Sequence, residues 1–155
     1  MLKAGDISLR LLKESDLNFL YSIENDPSNH QFNKESNYFS KEIIREYISN
    51  SNADISIFCQ LRFVIILHQE PIGLIDLFEY DKLLQQAGVG IFILEEFRSN
   101  EYGSKALELL ISYSWNVLDL LFLFANIKQE NMISVALFKK LGFAHVNDAL
   151  YQLNR

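Results

Sequence analysis

The chain has few of the residues that form disulfides, metal sites or nucleic-acid interfaces. Its single cysteine, Cys59, excludes an internal disulfide, and the apolar, strand-like run around it predicts a small buried hydrophobe. The three histidines, His30, His68 and His145, lack the spacing of metal ligands, so we expect no metal site. There is no basic stripe, and the net charge of −6 argues against a nucleic-acid partner.

Long apolar runs and an export signal are also missing. No stretch approaches the roughly 20 apolar residues needed to cross a bilayer, and residues 1–10 lack an apolar core behind a basic start. Neither a repeat nor a linker divides the 155 residues. We therefore expect one cytoplasmic domain, residues 1–155, without a membrane partner. Its acidic surface suits a cationic substrate, although solubility alone explains such a charge equally well.

The periodicity of apolar residues predicts an α/β domain. Strands are predicted at residues 7–12, 58–67, 72–78, 87–94, 121–126 and 149–153. Residues 68–71 form the turn between the second and third of these strands. One helix begins at Ser15 or Asp16, and a second begins at Ser40 with four residues facing inward. Those four residues are Ile43, Ile44, Tyr47 and Ile48.

Residues 97–107 link an apolar strand to a helix through a short polar loop. Helical spacing of the apolar residues after Leu107 places the helix start near Glu101 or Tyr102. A helix N-terminus reached through a loop containing Gly103 offers unpaired N–H groups and a positive dipole end, which together hold phosphate. The same pattern also occurs at strand-to-helix junctions that bind no phosphate, so this motif alone leaves both interpretations open.

A second motif, residues 131–143, predicts an amphipathic helix with clear end signals. Its apolar residues share one face, and Lys139 and Lys140 lie where cations favour a helix C-terminus. Gly142 is placed to end the helix, and the apolar Phe143 follows it. By itself this pattern indicates a helix and no particular activity.

Together the two motifs resemble the GNAT superfamily of N-acetyltransferases. The first is similar to the family's acetyl-CoA loop, Arg or Gln, two residues, Gly, any residue, then Gly or Ala. The second is similar to the family's Asn-x-x-Ser/Ala helix that ends in Lys-Leu-Gly-Phe. Three further stretches, residues 9–17, 61–65 and 72–77, extend the resemblance over roughly residues 9–143. It is greatest to the spermidine and ribosomal-protein N-acetyltransferase-like branch.

The resemblance implies a fold and a cofactor. The expected fold is a mixed, mostly antiparallel central sheet of six to seven strands flanked by about four helices. It implies that acetyl-CoA is the acetyl donor and that a primary amine, whether a polyamine, another small amine or a protein amine, is the acceptor. The residues that it assigns to the cofactor are Ile91, Phe92 and Ile93, Arg98, Ser99, Asn100, Glu101, Tyr102, Gly103 and Ser104, and Asn131 and Phe138.

Direct attack of an amine on the thioester requires the ammonium, with a pKa near 10.4, to lose a proton first. Carboxylates are therefore expected near the acceptor. Asp76 and Glu79 are the candidate catalytic residues, and Glu35, Asp76, Glu79 and Asp81 are the candidate acceptor contacts. Asp76 shares a predicted strand face with Ile72, Leu74 and Phe78, where a carboxylate is costly. It is a base or an amine anchor, unless the strand end is solvated and Asp76 only pairs or caps.

Three departures from the family pattern stand out. Glu101 replaces the first glycine of the loop, and its charge opposes a diphosphate unless the side chain turns outward. Phe138 stands where many relatives carry the tyrosine that protonates the leaving thiolate. Only 13 residues follow from Phe143 to Arg155, so the C-terminal hairpin is shortened, and the acceptor pocket is wide or completed by another subunit.

Two hypotheses of different classes remain. The favoured one is an acetyl-CoA-dependent N-acetyltransferase acting on a primary amine, with a homodimer as the family's habit. The alternative is a degenerate GNAT domain that binds the cofactor weakly or not at all and acts as a scaffold.

Overall fold

One mixed sheet of eight strands organises the computed structural model, which describes residues 2–30 and 38–155. The strands are β1 (Leu2–Ala4), β2 (Ile7–Leu11), β3 (Leu61–Leu67), β4 (Glu70–Asp81), β5 (Gln86–Ile93), β6 (Phe122–Asn126), β7 (Ala144–Asn147) and β8 (Leu150–Asn154). The helices are α1 (Leu17–Asn25), α2 (Lys41–Asn50), α3 (Ile55–Phe58), α4 (Tyr102–Asn116) and α5 (Met132–Lys140). The predicted class is confirmed, with the short β1 and the one-turn α3 beyond the expected counts.

Strands β1 to β5 form an antiparallel meander in which each strand pairs with its neighbours in sequence. The β3–β4 hairpin turns through His68 and Gln69, whose φ angles are 48° and 70°. Two consecutive left-handed residues are typical of a type I′ turn, whose twist matches that of the flanking strands. The predicted hairpin is confirmed, and its second strand begins at Glu70.

The segment before β3 differs from its prediction. Asp54 caps α3 by accepting a hydrogen bond from Ser56 N at 2.9 Å, and Cys59 follows in the left-handed region with φ 56°. This turn directs the chain into β3 only at Leu61, so the predicted strand start at residue 58 is wrong. The predicted burial of Cys59 is also wrong, because the turn leaves its side chain exposed.

The sheet separates two hydrophobic cores. Helices α4 and α5 cover one face, and α1 and α2 cover the other. Ser40 starts α2 as predicted, since its Oγ accepts a hydrogen bond from Ile43 N at 3.2 Å. Ile44 and Ile48 are buried as predicted, whereas Ile43 is 52% exposed because it lies off the stripe that faces the sheet.

The start of α1 also differs from its prediction. A 3₁₀ turn, Glu14–Asp16, precedes α1, and Asp16 does not cap that helix with its side chain. Its carboxylate instead accepts hydrogen bonds of 2.7 and 2.9 Å from Arg10 and one of 2.9 Å from Lys13 N. Burial raises the pKa of Asp16, but these bonds outweigh burial and bring the pKa below its ordinary value.

Two β-bulges set the course of β4. A register shift opposite Ile65 and Ile66 turns Ile72 into the core beneath α4 and α5, while Leu74 packs beneath α1 and α2. The prediction that Ile72 shares a face with Asp76 is therefore wrong. A second shift, with Glu79 at φ 48°, lets β4 continue to Asp81. Glu79 and Asp81 accordingly lie within the strand and not in the loop that the sequence predicts.

Strands β5 and β6 run parallel and are connected through α4. Their pairing covers only Gln86 to Gly88 of β5, opposite residues 122–124. Beyond Gly88, β5 stays with β4 up to Ile93 while β6 stays with β8 up to Asn126, so the two strands diverge. The chain then ends in the β7–β8 hairpin, whose arms are four and five residues long. That this hairpin is shorter than the family's stays a prediction. Within the described ranges no helix is long and apolar enough to span a bilayer.

Candidate active site

A cavity of about 1070 Å³ opens where β5 and β6 diverge. It is lined by the middle of β4 and β5, by the loop that leads into α4, and by the first turns of α5. Residues of α1 and β3 close its other end. The cavity therefore joins two regions, one beside the α4 N-terminus and one beneath α1.

The loop before α4 has the backbone form of an anion-binding site. Ser99 and Glu101 have φ angles of 65° and 63°, and the residue between them does not have a positive φ. Such alternation turns successive N–H groups toward one concave side. The first helical bond is from Lys105 N to Glu101 O, so the N–H groups of Tyr102, Gly103 and Ser104 have no acceptor within the helix. The predicted start of this helix is confirmed.

The Glu101 side chain turns outward, away from the place of a diphosphate, as the sequence analysis requires. Its side chain is 72% exposed, and its Oε1 accepts a hydrogen bond of 3.1 Å from Lys140 Nζ on α5. The carboxylate is thus partnered at the surface and partly neutralised. The loop backbone fits a diphosphate despite the missing glycine.

Gly103 lies close to α5 beside this loop. A Cβ at Gly103 would lie 3.3 Å from Leu137 Cδ2, so a larger residue would require the Leu137 side chain to move by a few tenths of an ångström.

Arg98 ties the loop to β5. Its Nε donates a hydrogen bond of 2.8 Å to Ile93 O, and its guanidinium carbon lies 5.6 Å from the centre of the Phe92 ring. Both contacts hold the guanidinium near the open side of β5. The assignment of Arg98 to the cofactor stays a prediction.

Ile91, Phe92 and Ile93 lie on the part of β5 that has separated from β6. Antiparallel pairing with β4 uses the polar groups of alternate residues, and the other backbone groups point toward the gap. This gap has the form of a position for an additional extended chain, and the family resemblance assigns these three residues to the cofactor.

Two predicted cofactor residues of α5 also line the cavity. Asn131 is the N-cap of the helix, and its Oδ1 accepts a hydrogen bond of 3.3 Å from Ser134 N. Phe138 is buried, with its ring centre 4.9 Å from that of Phe143 in an edge-to-face arrangement. Its ring carries no proton donor.

Asp76 lies at the other end of the cavity, on the face of β4 that looks toward α1 and α2. Its neighbour on β5 is Gly90, where an added Cβ would lie 2.8 Å from Asp76 Oδ1. Glycine at position 90 therefore makes room for the carboxylate. Burial raises the pKa of Asp76, Glu24 raises it further, and Arg62 opposes the increase.

Glu24 and Arg62 are cavity residues that the sequence analysis did not single out. Arg62 is the cross-strand neighbour of Asp76, and its Nη1 donates a hydrogen bond of 2.9 Å to Glu24 Oε1. Its guanidinium carbon lies 5.4 Å from the centre of the Tyr47 ring. A charged residue amid the apolar run of β3 was the signal that could have identified Arg62.

The other acidic candidates lie apart from Asp76. Glu79 is exposed, and Asp81 holds the β4–β5 turn by accepting a hydrogen bond of 2.9 Å from Leu84 N. Neither side chain lines the cavity. Glu35 lies outside the described residues. Within the described ranges, no three His, Cys, Asp or Glu side chains are grouped as metal ligands would be.

The acetyltransferase (GNAT) domain family matches residues 6–144 of this chain. The chain belongs to that family, whose members take the acetyl group from acetyl-CoA. It is an N-acetyltransferase, as the sequence predicts.

The chain is similar to named acetyltransferases in sequence and in fold. Spermidine N(1)-acetyltransferase of Escherichia coli K12 is 26% identical over 152 residues, which cover 98% of this chain and 80% of that protein. Spermidine N-acetyltransferase of Vibrio cholerae, solved with CoA and spermine, superposes with a TM-score of 0.84 at 22% identity, covering 97% and 96% of the two chains. A putative ribosomal-protein-serine acetyltransferase from Vibrio cholerae gives a TM-score of 0.77 at 19% identity, covering 99% and 97%. These relatives do not support the alternative of a cofactor-free scaffold.

Proposed function

We propose that the acceptor is a small cationic amine, with polyamines as the favoured class, and that Asp76 accepts the proton that the amine must lose. The observation that carries this proposal is a half-buried carboxylate, with a raised pKa, at the closed end of a cavity whose other end offers unpaired N–H groups at the start of α4. The spermidine acetyltransferases to which the chain is similar and its net charge of −6 support a cationic acceptor.

Asp76 suits the role of general base. A carboxylate in water, with a pKa near 4, is a weak base toward an ammonium with a pKa near 10.4. Burial raises the pKa of Asp76, which strengthens it as a base while its charge still attracts the ammonium. The same geometry also allows Asp76 to anchor the amine, and the two roles differ in the kinetic constant that they affect.

Acetyl-CoA supplies a thioester whose carbonyl is attacked by the uncharged amine. The backbone N–H groups of residues 91–93 that point into the gap are placed to stabilise negative charge on the carbonyl oxygen. Phe138 has no proton to give to the departing sulfur. The sulfur would therefore leave as a thiolate or take a proton from water.

The remaining acidic residues are proposed to bind the acceptor away from its reacting nitrogen. Glu79 and Asp81 lie outside the cavity wall, so we assign them to the distant charges of a long polyamine rather than to the reacting nitrogen. Glu35 stays a proposed contact of the same kind.

The free edge of β7 is the basis of a proposal about assembly. Every residue of β7 is exposed, and its outer edge pairs with no strand among the described residues. We propose that a second copy of the chain covers this edge, so that the chain is a homodimer. Sedimentation velocity distinguishes a dimer from a monomer.

The test is acetylation of a panel of amines by the purified chain. Release of the free CoA thiol measures the rate, and mass spectrometry identifies the acetylated product. Spermidine, spermine, a monoamine and a peptide with a free N-terminus represent the acceptor classes. We expect the polyamines to be preferred in kcat/KM, and Asp76→Asn to lower kcat by about 10²–10⁴-fold, the usual contribution of a general base. Glu79→Gln is the matched control and should change mainly KM.

Two outcomes would revise the proposal. If Asp76→Asn raised KM for the amine and left kcat unchanged, Asp76 would be an anchor of the amine and not its base. A preference for the peptide over every polyamine would assign the protein-amine class instead.

A further inference from the structure

We propose that Arg62, clamped by Glu24 and Tyr47, is a positioning residue that sets the proton affinity of Asp76 and thereby the pH range of the reaction. The inference rests on the proposed role of Asp76. It assigns a function to the partly buried ion pair between Arg62 and Glu24 on the cavity wall, which acetyl transfer does not itself require.

The sheet register places the two side chains together. Arg62 on β3 and Asp76 on β4 are directly opposite residues, so both point toward α1 and α2. Side chains opposite each other on one face of an antiparallel pair begin about 5 Å apart at Cβ. The charge of Arg62 therefore acts on Asp76 across a short distance in a poorly solvated place.

Two contacts fix the guanidinium. Nη1 donates a hydrogen bond of 2.9 Å to Glu24, and the Tyr47 ring lies against the guanidinium. Nε is buried and has no hydrogen-bond partner among the described residues. The side chains of Arg62 and Glu24 are only 22% and 28% exposed. An arginine held in this way acts as a fixed charge rather than as a mobile surface group.

The charged and titratable groups around Asp76 come from three elements. Arg62 on β3 lowers the pKa of Asp76, and Glu24 on α1 raises it, both against the larger effect of burial. Tyr47 on α2 is coupled to the same charges, and its own pKa is raised chiefly by its burial. Strand β5 contributes Gly90, which has no side chain. Arg62 and Glu24 therefore shift the ionisation of Asp76 in opposite directions about a value that burial raises.

The test follows the pH dependence of kcat/KM in three variants. Arg62→Gln removes the positive charge, so Asp76 should ionise at higher pH, and kcat/KM on the acid limb should fall about tenfold relative to the plateau. Glu24→Gln removes the opposing negative charge and should move the acid limb to lower pH. In the double variant Arg62→Gln/Glu24→Gln the two changes offset each other, and the limb should return toward that of the parent chain.

Arg62→Lys is the control for charge, and it should keep the acid limb close to its original position. A purely structural role for Arg62 would lower activity equally at every pH and leave the limb unmoved in all variants. Limbs that stay fixed, or that move in the same direction in both single variants, would overturn the inference.

Carboxyl carbon NMR titration of Asp76 provides a readout that needs no turnover. The Asp76 pKa should rise in Arg62→Gln and fall in Glu24→Gln, even if no tested amine is acetylated. Failure of the amine assay with these NMR shifts present would reject the proposed acceptor and retain the role of Arg62. Normal turnover with an unchanged Asp76 titration would retain the proposed acceptor and reject the role of Arg62.

Discussion

Glu101 has a backbone conformation that glycine adopts more easily. Its φ of 63° is in the left-handed region, where a residue with a Cβ is disfavoured by roughly 1–2 kcal/mol. Its ion pair with Lys140 joins two exposed groups and contributes little. We expect Glu101→Gly to raise the free energy of unfolding by about 1 kcal/mol in urea denaturation, and to tighten acetyl-CoA binding in calorimetry.

Glu101→Gln separates the two effects. It keeps the left-handed strain and removes the negative charge, so it should tighten binding without a gain in stability. If the glycine and glutamine variants had the same stability, the backbone at this position would not be strained.

Gly90 is the second single position on which the site depends. A methyl group there would lie 2.8 Å from Asp76 Oδ1 and displace the carboxylate. We expect Gly90→Ala to lower kcat/KM at least about tenfold with only a modest loss of stability, since the group that must move is a side-chain tip. Steady-state kinetics beside thermal denaturation measure both quantities.

Gly88→Ala is the matched comparison two residues earlier on the same strand face. Its methyl group would lie 2.4 Å from the Phe78 ring, so overpacking should lower stability by about 1–3 kcal/mol. If Gly90→Ala lost stability to the same degree and kept its activity, Gly90 would serve packing and not the position of Asp76.

Among the elements, the turn that joins β2 to α1 depends on the buried ion pair of Arg10 and Asp16. The Asp16 side chain is only 4% exposed, and removing one partner of a buried pair costs about 3–5 kcal/mol. We expect Asp16→Asn to lose at least about 2 kcal/mol of unfolding free energy at pH 7, measured by urea denaturation.

The pH dependence of this pair has a definite sign. The Asp16 pKa is lower in the folded chain than its ordinary value. Its contribution is therefore complete above the unfolded pKa of about 3.9 and is lost as pH falls through the folded value. Asp16→Asn should accordingly lose less stability than the parent chain over this acid range. A parallel pH dependence in both proteins would show that Asp16 gains nothing from Arg10.

Elements with local end signals could be predicted from the sequence, whereas those that depend on pairing could not. Ser40 caps α2, and the loop before α4 ends where its polar residues indicate. The bulge at Ile72 arises from the register between β3 and β4, which the residues of β4 do not encode alone. For the same reason Asp76 could be placed in the site, whereas Arg62 and Glu24 could not, because they meet it only through the folded sheet and α1.

The whole molecule should respond to the acetyl donor. A ligand present at 100 times its dissociation constant adds about 2.7 kcal/mol of stability, which for a chain of this size corresponds to a Tm increase of roughly 5–10 °C. Differential scanning fluorimetry with acetyl-CoA measures this increase. Adenosine 3′,5′-bisphosphate, which lacks the pantetheine arm, should give a smaller one. An unchanged Tm at millimolar acetyl-CoA would contradict the enzyme assignment and favour the scaffold alternative.

The divergence of β5 from β6 also predicts a pattern of deuterium uptake. Alternate amides of residues 89–93 bond to β4, whereas those between them face the gap. In the free protein, uptake along this strand should therefore alternate between slow and fast, residue by residue. An acyl donor in the gap would slow the fast amides and leave the others unchanged, so the exchange rates would record occupancy of the gap without any turnover.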